Sequence, residues 1–202
     1  LRAFMPPDKV GSRYAAMMTL LGDTRALIID LRKNNGGDPE AVALLASYLF
    51  DKRTRLNDIY SRIDDRTHEM WTHARLDGPR YGAAREVYVL TSSKTFSAGE
   101  DFSYALKNLK RATLVGESTG GGAHPGMPHM LTKHFAVFIP FGRSISPVTH
   151  TDWEGTGVTP DIAVPADKAL AAAQRRLLSG LLTTEKDPEM RDALNKRLHE
   201  LD

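Results

Sequence analysis

Val87-Tyr88-Val89-Leu90, followed after a short polar turn by Thr95-Phe96-Ser97-Ala98-Gly99-Glu100, decides how this chain is read. The first four residues are a β-branched and aromatic run of the kind that forms a strand. Beyond the turn, Phe102, Ala105, Leu106 and Leu109 recur at helical spacing, so a helix is expected over residues 98–109 with those four on its buried face. Ser97 then stands between strand and helix, where backbone N–H groups lack partners and a partial positive charge gathers. Such a place suits a developing oxyanion. It also suits a plain capping box, with Ser97 as N-cap and Glu100 returning to its backbone, and the stretch alone leaves both readings open.

Working outward, Ala26-Leu27-Ile28-Ile29-Asp30-Leu31 is nearly continuous in apolar residues and reads as a strand buried on both faces. It runs into Asn34-Asn35-Gly36-Gly37-Asp38-Pro39, where the glycines make a turn, Asp38 is an N-cap and Pro39 a first helical residue. The helix expected over residues 39–50 turns Val42, Leu45, Ala46 and Leu49 inward. Residues 14–21 have helix-compatible spacing and stop at Gly22. Residues 112–115 form another strand, opening into a glycine loop over residues 120–126, and alternating Phe135, Val137 and Ile139 make a further strand before Pro140. Residues 52–84 are charged and interrupted, and read as strands and loops over the surface anchored by Ile59, Ile63, Met70 and Trp71.

Repeated strand, glycine loop and helix units argue for an α/β layered domain, because each helix must cover an apolar sheet face. In that layout the loops after successive strands converge at one end of the sheet, which is where sites form. Backbone N–H groups from Gly36 or Gly37 and from Ala98 can then hold the oxygen of a tetrahedral intermediate, a contribution of about 3 kcal/mol per donor. The alternative for Gly36-Gly37 is a simple strand-to-helix turn. After Pro165 the character changes: helices are expected over residues 167–182 and 188–201, dividing the chain into a catalytic domain over residues 1–165 and a C-terminal helical extension over residues 166–202.

Bulk composition narrows the classes of partner. With 27 Lys and Arg against 25 Asp and Glu, the net charge of +2 gives no reason to expect nucleic acid or an anionic membrane. Hydrophobic residues at 41% and charged residues at 26% belong to a globular chain. No apolar run approaches the ~20 residues of a membrane-spanning helix. There are no cysteines, which removes disulfides, thiolate metal sites and cysteine nucleophiles together. The opening Leu1-Arg2-Ala3-Phe4, without methionine, reads as the start of a mature or N-terminally truncated fragment.

Four blocks occur in order: Asp30-Leu31-Arg32-Lys33-Asn34-Asn35-Gly36-Gly37, Phe96-Ser97-Ala98-Gly99-Glu100, Ala112-Thr113-Leu114-Val115-Gly116-Glu117 and Gly155-Thr156-Gly157-Val158-Thr159-Pro160-Asp161. Over about residues 1–165 they resemble the carboxyl-terminal processing (tail-specific) serine peptidases, most of all the branch related to tricorn-type proteases and interphotoreceptor retinoid-binding protein. The resemblance implies a crotonase-like (ClpP/crotonase) core of β-β-α units, Ser97 as nucleophile, an oxyanion hole from the Gly36-Gly37 loop and Ala98, and a periplasmic or secreted location. It also exposes a departure. Where Ser-Lys members of the family place their general-base lysine, this chain has Gly122, and Lys94 and Lys133 lie elsewhere.

The missing base directs attention to histidine, which holds a pKa near working pH without much tuning. His124 alone of the seven histidines lies in a glycine-flanked loop beyond a strand next to the nucleophile's helix. A surface-loop histidine is the plain alternative, and tricorn-like relatives take their base from a segment near or before the first strand, so the base can also lie upstream of Leu1. Glu154 falls at about the place where those relatives put a glutamate of their catalytic tetrad, with Asp152 able to serve instead and Asp161 anchoring a turn. Gly120-Gly121-Gly122 lacks the Lys-Ser/Thr pair of a phosphate loop. His124, His129 and His134 lack helical spacing and nearby carboxylates, so no metal site is expected.

The expectation is therefore a serine endopeptidase acting on extended peptide or protein segments, without cofactor, metal or nucleic acid, and open to self-association through its C-terminal helices. The rival is a non-catalytic module holding a retinoid- or lipid-like apolar ligand on the same fold.

Overall fold

In the computed structural model, which describes residues 1–201, the chain runs α1 (Pro7–Leu20), β1 (Ala26–Asp30), α2 (Pro39–Ser47), β2 (Asp58–Ser61), β3 (Arg66–His68), β4 (Glu86–Thr91) and α3 (Ala98–Asn108). It continues through β5 (Thr113–Gly116), β6 (Gly126–Met130), β7 (Ala136–Pro140), β8 (Gly142–Ile145), β9 (Ile162–Ala163), α4 (Ala169–Thr184) and α5 (Pro188–His199).

The frame is a parallel sheet in the order β1-β4-β5-β9. Side chains alternate across a strand, and here the alternation sorts two layers. Leu27, Val87, Val89 and Leu114 face a core shared with Tyr14 and Met18 of α1, Val42, Leu45 and Ala46 of α2, and Phe102, Ala105 and Leu106 of α3. Ile28, Tyr88, Leu90 and Val115 face the other way, against Ala169 and Ala173 of α4. The small alanines let α4 approach the sheet closely. Strand β1 lies at the sheet edge, so Ile28 and Ile29 are only half-buried, and the expected burial on both faces belongs instead to the central strands β4 and β5.

Asp38 caps α2 by accepting the Glu40 N–H at 2.8 Å, with Pro39 as first helical residue. α1 begins seven residues before the expected start, at Pro7 with Asp8 in its first turn, which are ordinary helix-start signals. Within residues 52–84, the buried anchors are Leu56 and Tyr81, whereas Ile63 is 73% exposed in the turn between β2 and β3. This segment is held largely by polar contacts: the Arg80 guanidinium donates to the carbonyl oxygens of Phe50 (3.1 Å), His73 (3.0 Å) and Ala74 (3.1 Å). A second, antiparallel sheet runs β3-β2-β8. The expected glycine loop ends sooner than its composition suggests, because Gly126 opens β6, which pairs with β7 in an exposed hairpin.

Candidate active site

The loops that follow β1 and β4 meet at the C-terminal end of the sheet and are stitched together. Thr95 Oγ1 donates to the Leu31 carbonyl at 2.8 Å, Ser92 Oγ to the Arg32 carbonyl at 2.6 Å, and the Phe96 N–H to the Asn34 carbonyl at 2.9 Å. Asn34 is fully buried, and its Oδ1 accepts the Gly36 N–H at 2.9 Å. The glycine pair is required by close approach. A Cβ at Gly36 would lie 2.7 Å from Ser97 Cβ, and one at Gly37 would lie 2.0 Å from the Phe4 carbonyl oxygen.

Phe4 donates its N–H to the Gly36 carbonyl (2.9 Å) and accepts the Asp38 N–H (2.7 Å), as in a parallel bridge. In that pattern the N–H of Gly37 faces away from Phe4. Among the described residues, neither the Gly37 N–H nor the Ala98 N–H donates to any group, while the Gly36 N–H is already committed to Asn34.

Ser97 has φ +53° and ψ −121°, a conformation that a residue with a Cβ rarely adopts. Holding it costs on the order of 1–3 kcal/mol and needs over-determining contacts. Glu100 supplies them. Its fully buried carboxylate accepts the Ser97 N–H (2.8 Å), the Thr119 hydroxyl (2.5 Å) and the N–H groups of Gly121 (2.6 Å) and Gly122 (2.9 Å). The backbone half of the capping box thus exists, but the same carboxylate also fastens the Ser97 turn to the loop after β5. Phe96 covers that loop. A Cβ at Gly122 would lie 2.3 Å from the Phe96 ring.

Ser97, Ala98, Gly37 and His124 line one cavity of about 90 Å³, with Pro39, Ile59, Asp101, Ser144 and Trp153 among its other walls. The His124 ring sits between two carboxylates, Nε2 at 3.4 Å from Asp152 Oδ2 and Nδ1 at 3.8 Å from Glu154 Oε2. Glu154 also accepts the N–H groups of Ala123 (2.6 Å) and His124 (3.1 Å), so it shapes the backbone that carries the imidazole. Trp153, between the two acids, is buried and donates Nε1–H to the Gly122 carbonyl at 3.0 Å, which pins all three residues to the glycine loop. Among the described residues no hydrogen bond joins the Ser97 hydroxyl to an imidazole. Asp161 accepts the Leu114 N–H at 2.8 Å, a structural role away from this cavity.

Three residues with a part in this geometry carry no plain signal in the sequence. Asn34 and Asp101 look like ordinary polar residues of a turn and a helix, and Asn57, which holds Asp101, lies 44 residues away from it.

The chain belongs to peptidase family S41, whose model matches residues 3–164. It is 32% identical over 161 residues to carboxyl-terminal-processing peptidase 2, chloroplastic, of Arabidopsis thaliana, covering 74% of this chain and 28% of that protein. It is 34% identical over 98 residues to the tail-specific protease of Haemophilus influenzae, covering 48% of this chain and 13% of that one. Among solved structures, the photosystem II D1 C-terminal processing protease superposes with a TM-score of 0.64 at 25% identity, covering 83% of this chain and 42% of that chain. The chain spans under a third of the length of the curated relatives it matches.

Proposed function

We propose that this chain is the catalytic core of a serine endopeptidase on a crotonase-like framework, cutting extended peptide segments through Ser97. The observation that carries this reading is that Ser97 shares one small cavity with two backbone N–H groups, of Gly37 and Ala98, that donate to nothing else among the described residues. Ser97 Oγ attacks the substrate carbonyl carbon and gives its proton to the base. Gly37 and Ala98 hold the resulting oxyanion, the C–N bond breaks as the amine takes the proton, and water then hydrolyses the acyl-enzyme.

His124 is the base in this reading. To act, its ring turns so that one nitrogen keeps a carboxylate, Asp152 or Glu154, while the other meets the Ser97 hydroxyl, the arrangement of a triad. A base contributed from outside residues 1–202 is the competing source. The rival function, an apolar-ligand module, requires a pocket of a few hundred Å³; the cavity beside Ser97 has only about 90 Å³, but one of about 330 Å³ lies between β1 and α4, lined by Ile28, Leu177, Leu178 and Leu181 together with Arg25 and Arg197.

The test is covalent labelling. A fluorophosphonate is expected to modify wild-type protein at Ser97, located by peptide mass mapping, and to leave Ser97→Ala unmodified. Equal labelling of both, or none of either together with no peptide cleavage by the wild type, refutes the reading.

A further inference from the structure

Asp101 follows Ser97 by one helical turn, so both point to the same side of α3, and both line the cavity. Asp101 Oδ1 accepts from Asn57 Nδ2 at 2.7 Å, and the same amide donates to the Asp101 carbonyl at 3.1 Å. The other carboxylate oxygen, Oδ2, has no hydrogen-bond partner among the described residues, and it is not sealed from solvent. Asp101 is packed deep in the fold yet keeps some accessible surface, and it is one of the residues that line the cavity. A substrate side chain that entered this cavity beside Ser97 would meet Asp101.

The remaining walls say which side chain fits. The cavity is small, about 90 Å³. Pro39, Ile59, Ala123 and Trp153 are apolar and suit a methyl group. An ionised carboxylate only accepts hydrogen bonds, so its match is a small donor. We propose that Asp101 sets specificity at this site, its free oxygen accepting the hydroxyl of a serine or threonine in the substrate residue beside the scissile bond. This rests on Ser97 being the nucleophile.

Burial pushes the Asp101 carboxyl from 3.8 up to about 6, with the Asn57 hydrogen bond opposing the rise. Near neutrality the group is thus charged and short of donors. A site of this kind rejects an analogue that lacks the hydroxyl, because the buried acceptor would stay unpaired. Among the residues lining the cavity, His124 carries the other ionisable side chain. Glu100, on the same helix, is occupied by its four donors, and Asp58, beside Asn57, is paired with Arg55 at 2.6 Å.

The experiment uses Ser97→Ala, which reads the pocket without chemistry. Its affinity is measured for alanine-based decapeptides carrying one central threonine, or valine in its place. At pH 8 the threonine peptide is expected to bind roughly tenfold more tightly, the scale of a charge-assisted hydrogen bond. That preference shrinks below pH 6 as the carboxyl takes up its proton. In the background of Asp101→Asn the preference is reduced and flat with pH, which separates Asp101 from His124. Equal affinities at pH 8, no binding of either peptide, a ratio unchanged between pH 5 and 8, or a pH-dependent ratio that survives in Asp101→Asn each overturn the proposal. The pH series with Asp101 intact stands even if Asp101→Asn folds poorly. If the wild type escapes fluorophosphonate while Ser97→Ala still prefers threonine, the nucleophile reading falls and the pocket assignment stands.

Discussion

The buried carboxylate of Glu100 accepts the Ser97 backbone N–H at 2.8 Å, so the strained turn that presents the hydroxyl is held by a side chain of the helix it opens. The same carboxylate binds Thr119, Gly121 and Gly122 and meets no cation among its hydrogen-bond partners. One group therefore couples two loops. Its four donors can be satisfied only by an acceptor with two oxygens.

Glu100→Gln replaces one of those oxygens with an NH₂ that faces N–H donors. Two buried donors lose their acceptor, so the variant is expected to lose about 3 kcal/mol of stability. Urea denaturation measures this, and fluorophosphonate labelling at Ser97 should fall with it because the turn is released.

Gly36→Ala introduces a Cβ at 2.7 Å from Ser97 Cβ, at φ +106°. Ser97 must shift, and labelling is expected to drop at least about tenfold, since small misplacements at a reacting centre cost that much or more. Gly155→Ala is the control. It has φ +68° but nothing within 4 Å, so it should cost only about 1 kcal/mol of backbone strain with labelling unchanged.

His124→Ala separates the two sources of the base. If His124 takes the Ser97 proton, kcat falls about 10²- to 10⁴-fold with KM little altered, and the oxyanion donors are left in place. Activity unchanged by the substitution moves the base to a segment outside residues 1–202. Glu154→Ala should weaken activity less, through the loosened backbone of Ala123 and His124.

Stability should depend on pH through Asp101. In the folded chain its carboxyl holds a proton up to about pH 6, against 3.8 for the free group. Between those values the unfolded chain binds fewer protons than the folded one, so stability falls as pH rises. The fall is up to about 3 kcal/mol between pH 4 and pH 7. Asp101→Asn has no such proton to lose, and chemical denaturation of both proteins across that range should show curves that lie together at the acid end and separate at the alkaline end, with the wild type the less stable.

Local signals explain why some of this architecture is legible from the sequence. Val87 to Leu90 can scarcely be anything but a strand, and Asp38-Pro39 scarcely anything but a helix start, because propensity and capping act within a few residues. The face Phe102, Ala105, Leu106 follows from periodicity, and all three are buried. Residues 52–84 resist such reading because their order comes from Arg80 reaching distant carbonyls and from β2 pairing with β8, contacts that leave no period in the sequence. Asp101 resists it for the same reason. On a helix of mixed polarity it looks like any exposed acid, and only Asn57 from another segment and the cavity beneath Ser97 give it an environment.

The sequence by itself determined a strand, a sharp turn and a helix around Ser97, and a glycine pair after β1. These are properties of neighbouring residues, governed by backbone sterics, capping and hydrophobic period. Tertiary structure alone decided which N–H groups stay unbonded, that Gly36 donates to Asn34 whereas Gly37 does not, and that His124 lies between Asp152 and Glu154. It also turned Glu100 from a cap into the link between two loops. Hydrogen-bond satisfaction and burial depend on what the rest of the chain brings into contact, and no local pattern records them.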